Sequence, residues 1–304
     1  MSMADNSTRP EYRAAGTDLS ERRRSGVSRG AILDVAAPAG VVVEPDGGLR
    51  LGALTTIAAL AADPAIRAGY PGLAAAADGL ATPQIRRMAT LGGNIAQRNR
   101  CWYFRNPDIA CLKKGGDVCP AREGNALYAV AFDSAPCVAP HPSTLAAALL
   151  AYEARLDTDQ RRGVAVDQAL GDGRARSAET ALEPGELITA VVLPPPTSGE
   201  RAMYKRAIGR AHAEWPLVEL VACANFEAGA FARLRLVAGG VAPVPLRLKA
   251  AEAAALGKPA GAATFAAAAA ASIEGANPLP QSRYKLELLQ GLVRDLLEQL
   301  ASQG

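Results

Sequence analysis

The sequence predicts a mixed α+β fold divided into two domains. Short strand patterns and short helical patterns are interspersed through the first two thirds of the 304 residues. Three prolines followed by Thr-Ser-Gly, at residues 194–199, are typical of a linker between domains. Beyond this linker, two strand patterns precede alanine-rich helical segments, so we expect a second, smaller domain in which helices cover a sheet.

Turn and capping signals place the elements of the first domain. The predicted strands are 31–35, 48–53 after a Pro-Asp-Gly-Gly turn, 128–132, and 185–194, which ends at the first linker proline. The predicted helices are 55–62 with a threonine cap, 70–79 ending at Gly79, and 145–154 capped by Ser143 or Thr144.

The second domain begins with a predicted antiparallel strand pair. Strands at 218–226 and 232–238 flank a Glu-Ala-Gly-Ala turn, and residues 239–245 form a further Gly- and Pro-rich turn. Alanine-rich helices are expected at 250–256 and 262–273. Residues 284–300 carry leucine and valine at helical spacing, which predicts an amphipathic closing helix.

The composition excludes several classes of protein. A net charge of +3 and only 5% aromatic residues argue against a nucleic-acid-binding protein. No apolar run is long enough for a transmembrane helix, so we expect no membrane insertion. Residues 1–10 are polar, are expected to be disordered, and do not resemble an export signal.

A glycine pair stands in the stretch Thr90-Leu91-Gly92-Gly93-Asn94. Glycine allows sharp turns and a close approach of the backbone to a phosphate, and successive N–H groups in such a turn bind anions. The stretch follows a predicted helix, so we expect it in a loop, where binding residues concentrate. An ordinary turn is the alternative, because such short patterns are common.

Four of the five cysteines fall in the next segment: Cys101, Cys111, Cys119 and Cys137. Four thiolates are the ligand set of an iron–sulfur cluster or a structural zinc ion, whereas two disulfides are rare in the cytosol. No Cys-x-x-Cys pair is present, which argues against common zinc ribbons. Basic residues around these cysteines favour thiolates, whereas Cys223 lies in an apolar strand and is expected to be a core residue.

The order of these motifs resembles one family. TLGGNIAQRNRCWYF, then CLKKGGDVCP, then PCVAPHPSTLAAALL are similar to the FAD-binding medium subunit of the xanthine dehydrogenase or molybdenum hydroxylase family. Within it, the chain is most similar to the subtype with an extra [4Fe–4S] cluster, as in flavin subunits of periplasmic aldehyde oxidoreductases. The resemblance implies a two-part PCMH-type FAD domain at 11–197, with a cluster insertion at 98–138. It implies a CO dehydrogenase flavoprotein-like domain at 198–304.

The resemblance also implies site residues. FAD should lie between two turns whose N–H groups hold its pyrophosphate, with Ala15 replacing a family glycine in the first turn. Thr144 stands where the family has an aspartate near the flavin, and Ile188 and Lys205 should approach the isoalloxazine ring. The cofactor-binding residues implied are Gly16, Thr17, Asp18, Thr90, Leu91, Gly92, Gly93, Asn94, Thr144, Ile188 and Lys205. The [4Fe–4S] ligands implied are Cys101, Cys111, Cys119 and Cys137.

No residue of this chain is expected to be catalytic itself. The resemblance implies a heterotrimer with a large molybdopterin subunit, which oxidises an aldehyde or N-heterocycle, and a small subunit with two [2Fe–2S] clusters. Electrons would reach FAD here and leave to an external acceptor. The location would be cytoplasmic, or periplasmic by co-export with a partner that carries a twin-arginine signal. Two rivals stay open: a flavin-free scaffold or relay subunit that keeps the cluster, and a zinc-stabilised binding module.

Overall fold

A computed structural model describes residues 10–209 and 213–303, so nine of the ten residues expected to be disordered lie outside the described part. The strands are Glu11–Arg13 (β1), Ile32–Asp34 (β2), Val41–Val43 (β3), Leu49–Gly52 (β4), Arg155–Thr158 (β5), Val164–Ala165 (β6), Ile188–Leu193 (β7), Arg201–Ala207 (β8), Val218–Glu227 (β9), Ala230–Gly239 (β10) and Leu246–Arg247 (β11). The helices are Leu19–Arg24 (α1), Ile57–Ala62 (α2), Pro64–Gly69 (α3), Pro71–Asp78 (α4), Pro83–Met88 (α5), Leu91–Ile95 (α6), Trp102–Arg105 (α7), Thr144–Ala151 (α8), Val166–Leu170 (α9), Lys249–Ala255 (α10), Ala262–Ala271 (α11) and Tyr284–Ser302 (α12).

These strands form three sheets. β1 and β2 pair in parallel, and an antiparallel five-stranded sheet has the order β3-β4-β7-β5-β6. The third sheet is antiparallel and four-stranded, in the order β11-β10-β9-β8. Helices and sheets thus combine in one chain, and the predicted α+β fold is confirmed.

The larger core joins the five-stranded sheet to helices α2, α4 and α8. Thr56 caps α2 by accepting a hydrogen bond from the Ala59 N–H at 3.2 Å, and Ser143 caps α8 through the Ala146 N–H at 3.0 Å. Helix α8 is apolar on all sides and almost wholly buried, because it lies against the four-stranded sheet as well. The beginning of α8 is therefore held rigidly between the two sheets.

The four-stranded sheet is covered on both faces. Helices α4 and α8 lie on one face, and α10 and α12 lie on the other. Strand β9 is accordingly buried without interruption from Val218 to Ala224, including Cys223. The apolar stripe predicted for the closing helix is confirmed, since Leu289, Val293 and Leu296 are fully buried on α12. Within residues 10–209 and 213–303, no helix combines the length and apolar character needed to cross a membrane.

The cysteine-rich segment 98–138 contains no regular strand among its residues. The strand predicted at 128–132 is wrong, because its N–H groups bond to irregular partners: Val130 donates to the Val138 carbonyl and Ala131 to that of Val241. The segment is bonded to the residues that precede helix α12. There, the buried Ser282 hydroxyl donates to the Val130 carbonyl at 2.9 Å. The second domain therefore holds the cysteine-rich segment in place.

Candidate functional site

The two predicted turns meet at one cleft of about 240 Å³. Thr17 and Asp18 line it from the first turn, and Gly93 and Asn94 line it from the second. A Cβ placed on Gly93 would lie only 3.7 Å from the Ala14 Cβ, so the turns are in direct proximity. Residues 75 to 77 positions apart in sequence thus form adjoining walls of the cleft.

The first turn depends on one glycine. Gly16 has a φ of +74°, which favours glycine, whereas Ala15 is not among the residues with positive φ. The family glycine that Ala15 replaces is therefore not needed for backbone conformation. The carboxylate of Asp18 accepts hydrogen bonds from the Arg98 N–H at 3.2 Å and the Arg105 guanidinium at 2.7 Å. Asp18 thus ties the first turn to the start of the cysteine-rich segment.

The second turn is a short helix and not a loop, so that prediction is wrong. Thr90 caps α6, and Gly92 packs so closely on the strand-end residue Ala53 that a Cβ would meet the Ala53 Cβ at 3.0 Å. Backbone carbonyls accept the N–H groups of Leu91, Gly92 and Asn94. The Gly93 N–H instead bonds to the Thr90 hydroxyl at 3.2 Å, a weaker partner that an anion could displace.

A buried polar chain connects α6, α8 and the four-stranded sheet at the cleft. The Ser143 hydroxyl donates to the Asn94 side-chain oxygen at 2.7 Å. The Thr144 hydroxyl donates to Glu219 at 2.8 Å, and the Tyr204 hydroxyl donates to the same carboxylate oxygen at 2.8 Å. Burial raises the pKa of the Glu219 carboxyl group. Thr144 therefore lies at the cleft, where the sequence predicts a cofactor contact, but its hydroxyl is engaged with Glu219.

Two predicted flavin contacts lie elsewhere. Lys205 points toward the covering helix α12, where its Nζ is 3.7 Å from the Asp295 carboxylate. Ile188 is buried in the larger core and does not line the cleft. Because successive strand residues face opposite sides, the neighbouring Arg206 lines the cleft instead of Lys205.

Sequence reasoning missed other cleft residues. Leu80 and Ala81 form part of the wall, and Ala81 has a φ of +48°, which is unusual for a residue with a Cβ. The Arg100 guanidinium stacks 4.4 Å from the centroid of the Trp215 ring, and both residues line the cleft. No local pattern marks these four residues, because long-range packing brings them together.

The four predicted cysteine ligands line one small apolar cavity of about 10 Å³. Cys111 and Cys137 are buried, and Cys101 and Cys119 are partly buried. A hydrogen bond joins Cys119 and Cys137; it lowers the pKa of the Cys119 thiol and raises that of the Cys137 thiol. This cavity is only the size of a water molecule, so the thiols must move apart to accept an iron–sulfur core.

No group of three His, Cys, Asp or Glu side chains in the described part of the chain is arranged to hold a single metal ion. A [4Fe–4S] cluster binds one thiolate at each of four iron corners, so its ligands stand farther apart than those of one ion. The donor set of four convergent thiols fits such a cluster. Cys223 is fully buried in β9 and does not line this cavity; burial raises its pKa to about 12.

The basic residues near the cysteines are mostly paired with acids. Arg98 bonds to Glu179, and Arg105 bonds to Glu21 and Asp18. Arg122, which pairs with Asp133 at 2.7 Å, is the arginine whose charge favours the Cys119 thiolate. Lys114 interacts electrostatically with Cys101 and Cys111, and Lys113 with Cys137. Each of the four cysteines therefore has a basic neighbour.

Known relatives are similar to this chain over most of its length. It is 38% identical over 220 residues to the aldehyde oxidoreductase FAD-binding subunit PaoB of Escherichia coli K12, covering 70% of this chain and 68% of PaoB. It is 27% identical to the putative xanthine dehydrogenase FAD-binding subunit XdhB of the same organism, covering 99% and 92% of the two chains.

The fold recurs in structures of low sequence identity. A chain of quinoline 2-oxidoreductase from Pseudomonas putida 86 superposes with a TM-score of 0.74 at 18% identity, covering 99% of this chain and 92% of that one. A chain of the cyanide-inactivated Cu,Mo-CO dehydrogenase gives 0.73 at 18% identity, covering 97% and 91%.

Two family descriptions match nearly the whole chain. The FAD binding domain in molybdopterin dehydrogenase matches residues 14–196, which include both turns and all four cysteines of the insertion. The CO dehydrogenase flavoprotein C-terminal domain matches residues 202–300, which include the four-stranded sheet and the helices α10 to α12. The chain therefore belongs to the family of FAD-binding subunits of molybdopterin dehydrogenases.

Proposed function

We propose that this chain is the FAD and [4Fe–4S] electron-transfer subunit of a heterotrimeric molybdenum hydroxylase that oxidises an aldehyde or an N-heterocycle. The observation that carries the proposal is the meeting of the Gly16–Asp18 turn and the Thr90–Asn94 turn at one cleft, inside the matched FAD-binding region. Similarity to an aldehyde oxidoreductase subunit favours an aldehyde as substrate.

The cleft would hold FAD through both turns. Gly16, with its positive φ, allows the first turn, and Gly93 leaves the gap between the turns open for the pyrophosphate. The Gly93 N–H is the group that can turn to a phosphate oxygen. Arg206, on the opposite wall, would contribute positive charge. Bound FAD supplies the ability to take electrons singly and release them in pairs.

The insertion at 98–138 would hold one cluster through Cys101, Cys111, Cys119 and Cys137. Convergence of four thiols on a single apolar cavity supports this assignment. Binding would cross-link the four chain segments and give order to a stretch that has little regular structure of its own. We assign the cluster a mainly structural role or a place on a side branch of electron transfer.

The partners proposed are a molybdopterin-binding large subunit, a small [2Fe–2S] subunit and an external electron acceptor. We also propose that the two domains divide between residues 197 and 198. The location would be cytoplasmic, or periplasmic if a partner subunit carries a twin-arginine export signal. These assignments rest on family membership, because nothing in the described residues resembles a molybdenum site.

A flavin-free relay subunit is the second candidate. It is favoured by the Thr90–Asn94 turn, in which three of the N–H groups are already bonded to backbone carbonyls. Acid-extracted flavin, iron and acid-labile sulfide, each measured per chain of the purified complex, separate the candidates. We expect one FAD, whereas iron and sulfide without flavin would favour the relay subunit.

Serine substitutions test the cluster ligands individually. We expect Cys101→Ser, Cys111→Ser, Cys119→Ser and Cys137→Ser to lose the iron and sulfide of the cluster, because each removes one of four thiolates. Cys223→Ser is the matched control and should keep the full content, since Cys223 lies buried in β9 away from the cavity. Full iron content in any of the four insertion variants would contradict the assignment.

A further inference from the structure

A second cavity, of about 340 Å³, lies beside the flavin cleft. It is enclosed by the cysteine-rich segment, residues 138–142, residues 214–217 and helix α12. Trp102, Tyr128 and Trp215 provide aromatic walls, and the Trp102 and Tyr128 ring centroids are 5.3 Å apart. Such a volume and lining are typical of sites for small planar molecules.

His141 presents an unsatisfied hydrogen-bond donor in this cavity. The side chain is 6% exposed, and its Nδ1 accepts a hydrogen bond from the Ser143 N–H at 3.2 Å. In a neutral imidazole the proton must then be on Nε2, and burial lowers the pKa of His141 to about 4, which keeps it neutral. Among the residues that the structure describes, Nε2 has no hydrogen-bond partner. A buried donor without an acceptor is unfavourable, so a ligand with a carbonyl oxygen would be stabilised there.

The charged groups around the cavity favour a neutral ligand. Lys285 is 1% exposed and donates to the Gly240 carbonyl at 2.7 Å and the Tyr128 carbonyl at 3.2 Å. Arg100 forms a salt bridge to Asp18 at 3.1 Å, and Glu219 is engaged by the hydroxyls of Thr144 and Tyr204. Each of these charges therefore has a partner of its own, although the buried Arg100 Nε–H, among the described residues, still lacks an acceptor. A planar carbonyl compound would meet aromatic walls and the two N–H donors of His141 and Arg100.

We propose that this cavity binds a quinone of one or two rings, whose carbonyl oxygen accepts a hydrogen bond from His141 Nε2–H. Arg100 and Trp215 line both this cavity and the flavin cleft, and Cys101 lines both this cavity and the thiol site. The quinone would thus lie beside both redox sites, a role that rests on the proposed function. It would take two electrons that originate in the oxidised substrate and two protons from solvent, and become a hydroquinone.

Equilibrium dialysis of the purified complex with menadione, without reducing substrate, tests the site. We expect one menadione per chain, and a Kd about tenfold or more weaker in His141→Leu because the ligand carbonyl loses its donor. His141→Gln keeps an N–H donor and should bind nearly as well as the unaltered protein. Trp102→Ala, on an exposed part of the wall, should also weaken binding and does not depend on the folding of the His141 variants.

Flavin content, measured on the same samples, separates the two proposals. Absence of flavin from the unaltered complex would contradict the proposed function, while menadione binding would still report on the cavity. Unchanged binding in both His141→Leu and Trp102→Ala would overturn the quinone site. Binding that occurs only after flavin removal would show that the flavin ring uses this cavity, and would overturn it too.

Discussion

At the scale of single residues, motif position was predictable but side-chain direction was not. Thr17 of the first turn and Gly93 of the second line the same cleft, and the patterns that mark both turns are local in sequence. Arg206 lines the cleft, whereas Lys205, which is expected to contact the flavin, faces α12, since a shift of one residue in a strand moves a side chain to the other face. The sequence does not show which residues of β8 face the cleft, because that depends on which face of the sheet helix α12 covers.

This assignment predicts different effects for two neighbouring substitutions. Arg206→Met should weaken FAD binding by about tenfold or more, because a charged hydrogen bond to a ligand contributes roughly 1.5–3 kcal/mol. Lys205→Met is the matched control and should leave FAD affinity unchanged, since its ion pair with Asp295 is on the opposite face. Titration of the flavin-depleted complex with FAD measures the affinity of both variants. Weaker FAD binding in Lys205→Met alone would contradict the assignment to Arg206 and support Lys205 as the flavin contact.

At the scale of elements, helices and strands marked by a cap, a turn or an apolar pattern of their own were predictable, and several elements without such a signal were not. The helices α2, α4, α8 and α12 and the β9–β10 hairpin all occur where caps and apolar periodicity indicate them. The strands β3, β5 and β6 have only two to four residues each, and cross-strand pairing rather than local propensity fixes them. Within the apolar run at 128–132, residues 129–131 are buried, and their contacts to Val241 and Ser282 take the place of a sheet partner.

One buried hydroxyl contributes to the docking of the cysteine-rich segment. Ser282→Ala should destabilise that docking by about 1–3 kcal/mol, because the Val130 carbonyl loses its donor in a buried place. Faster hydrogen exchange at the Val130 and Ala131 amides would report the change. Ser302→Ala, at the exposed end of α12, is the control and should leave both rates unaltered. Equal exchange in the two variants would mean that other contacts hold the segment.

At the scale of the whole molecule, three remote parts of the chain create the cleft. The first turn, helix α6 and the beginning of α8 converge on it, and β8 and residues 213–216 form the facing wall. The sequence predicted the converging motifs, because each carries its own glycine or cap. It did not predict Trp215, Arg100 or the adjoining cavity, because these depend on how the second domain packs against the first.

The flavin content of Gly93→Val tests the central claim most directly. A Cβ at Gly93 lies 3.7 Å from the Ala14 Cβ and 2.9 Å from the Thr90 hydroxyl, so a branched side chain would fill the gap between the two turns. Gly291→Val, in α12 with no atom within 4 Å of the added Cβ, is the matched control. We expect Gly291→Val to retain one FAD per chain and Gly93→Val to lose most of it. Full flavin content in a folded Gly93→Val protein would contradict FAD binding between these turns.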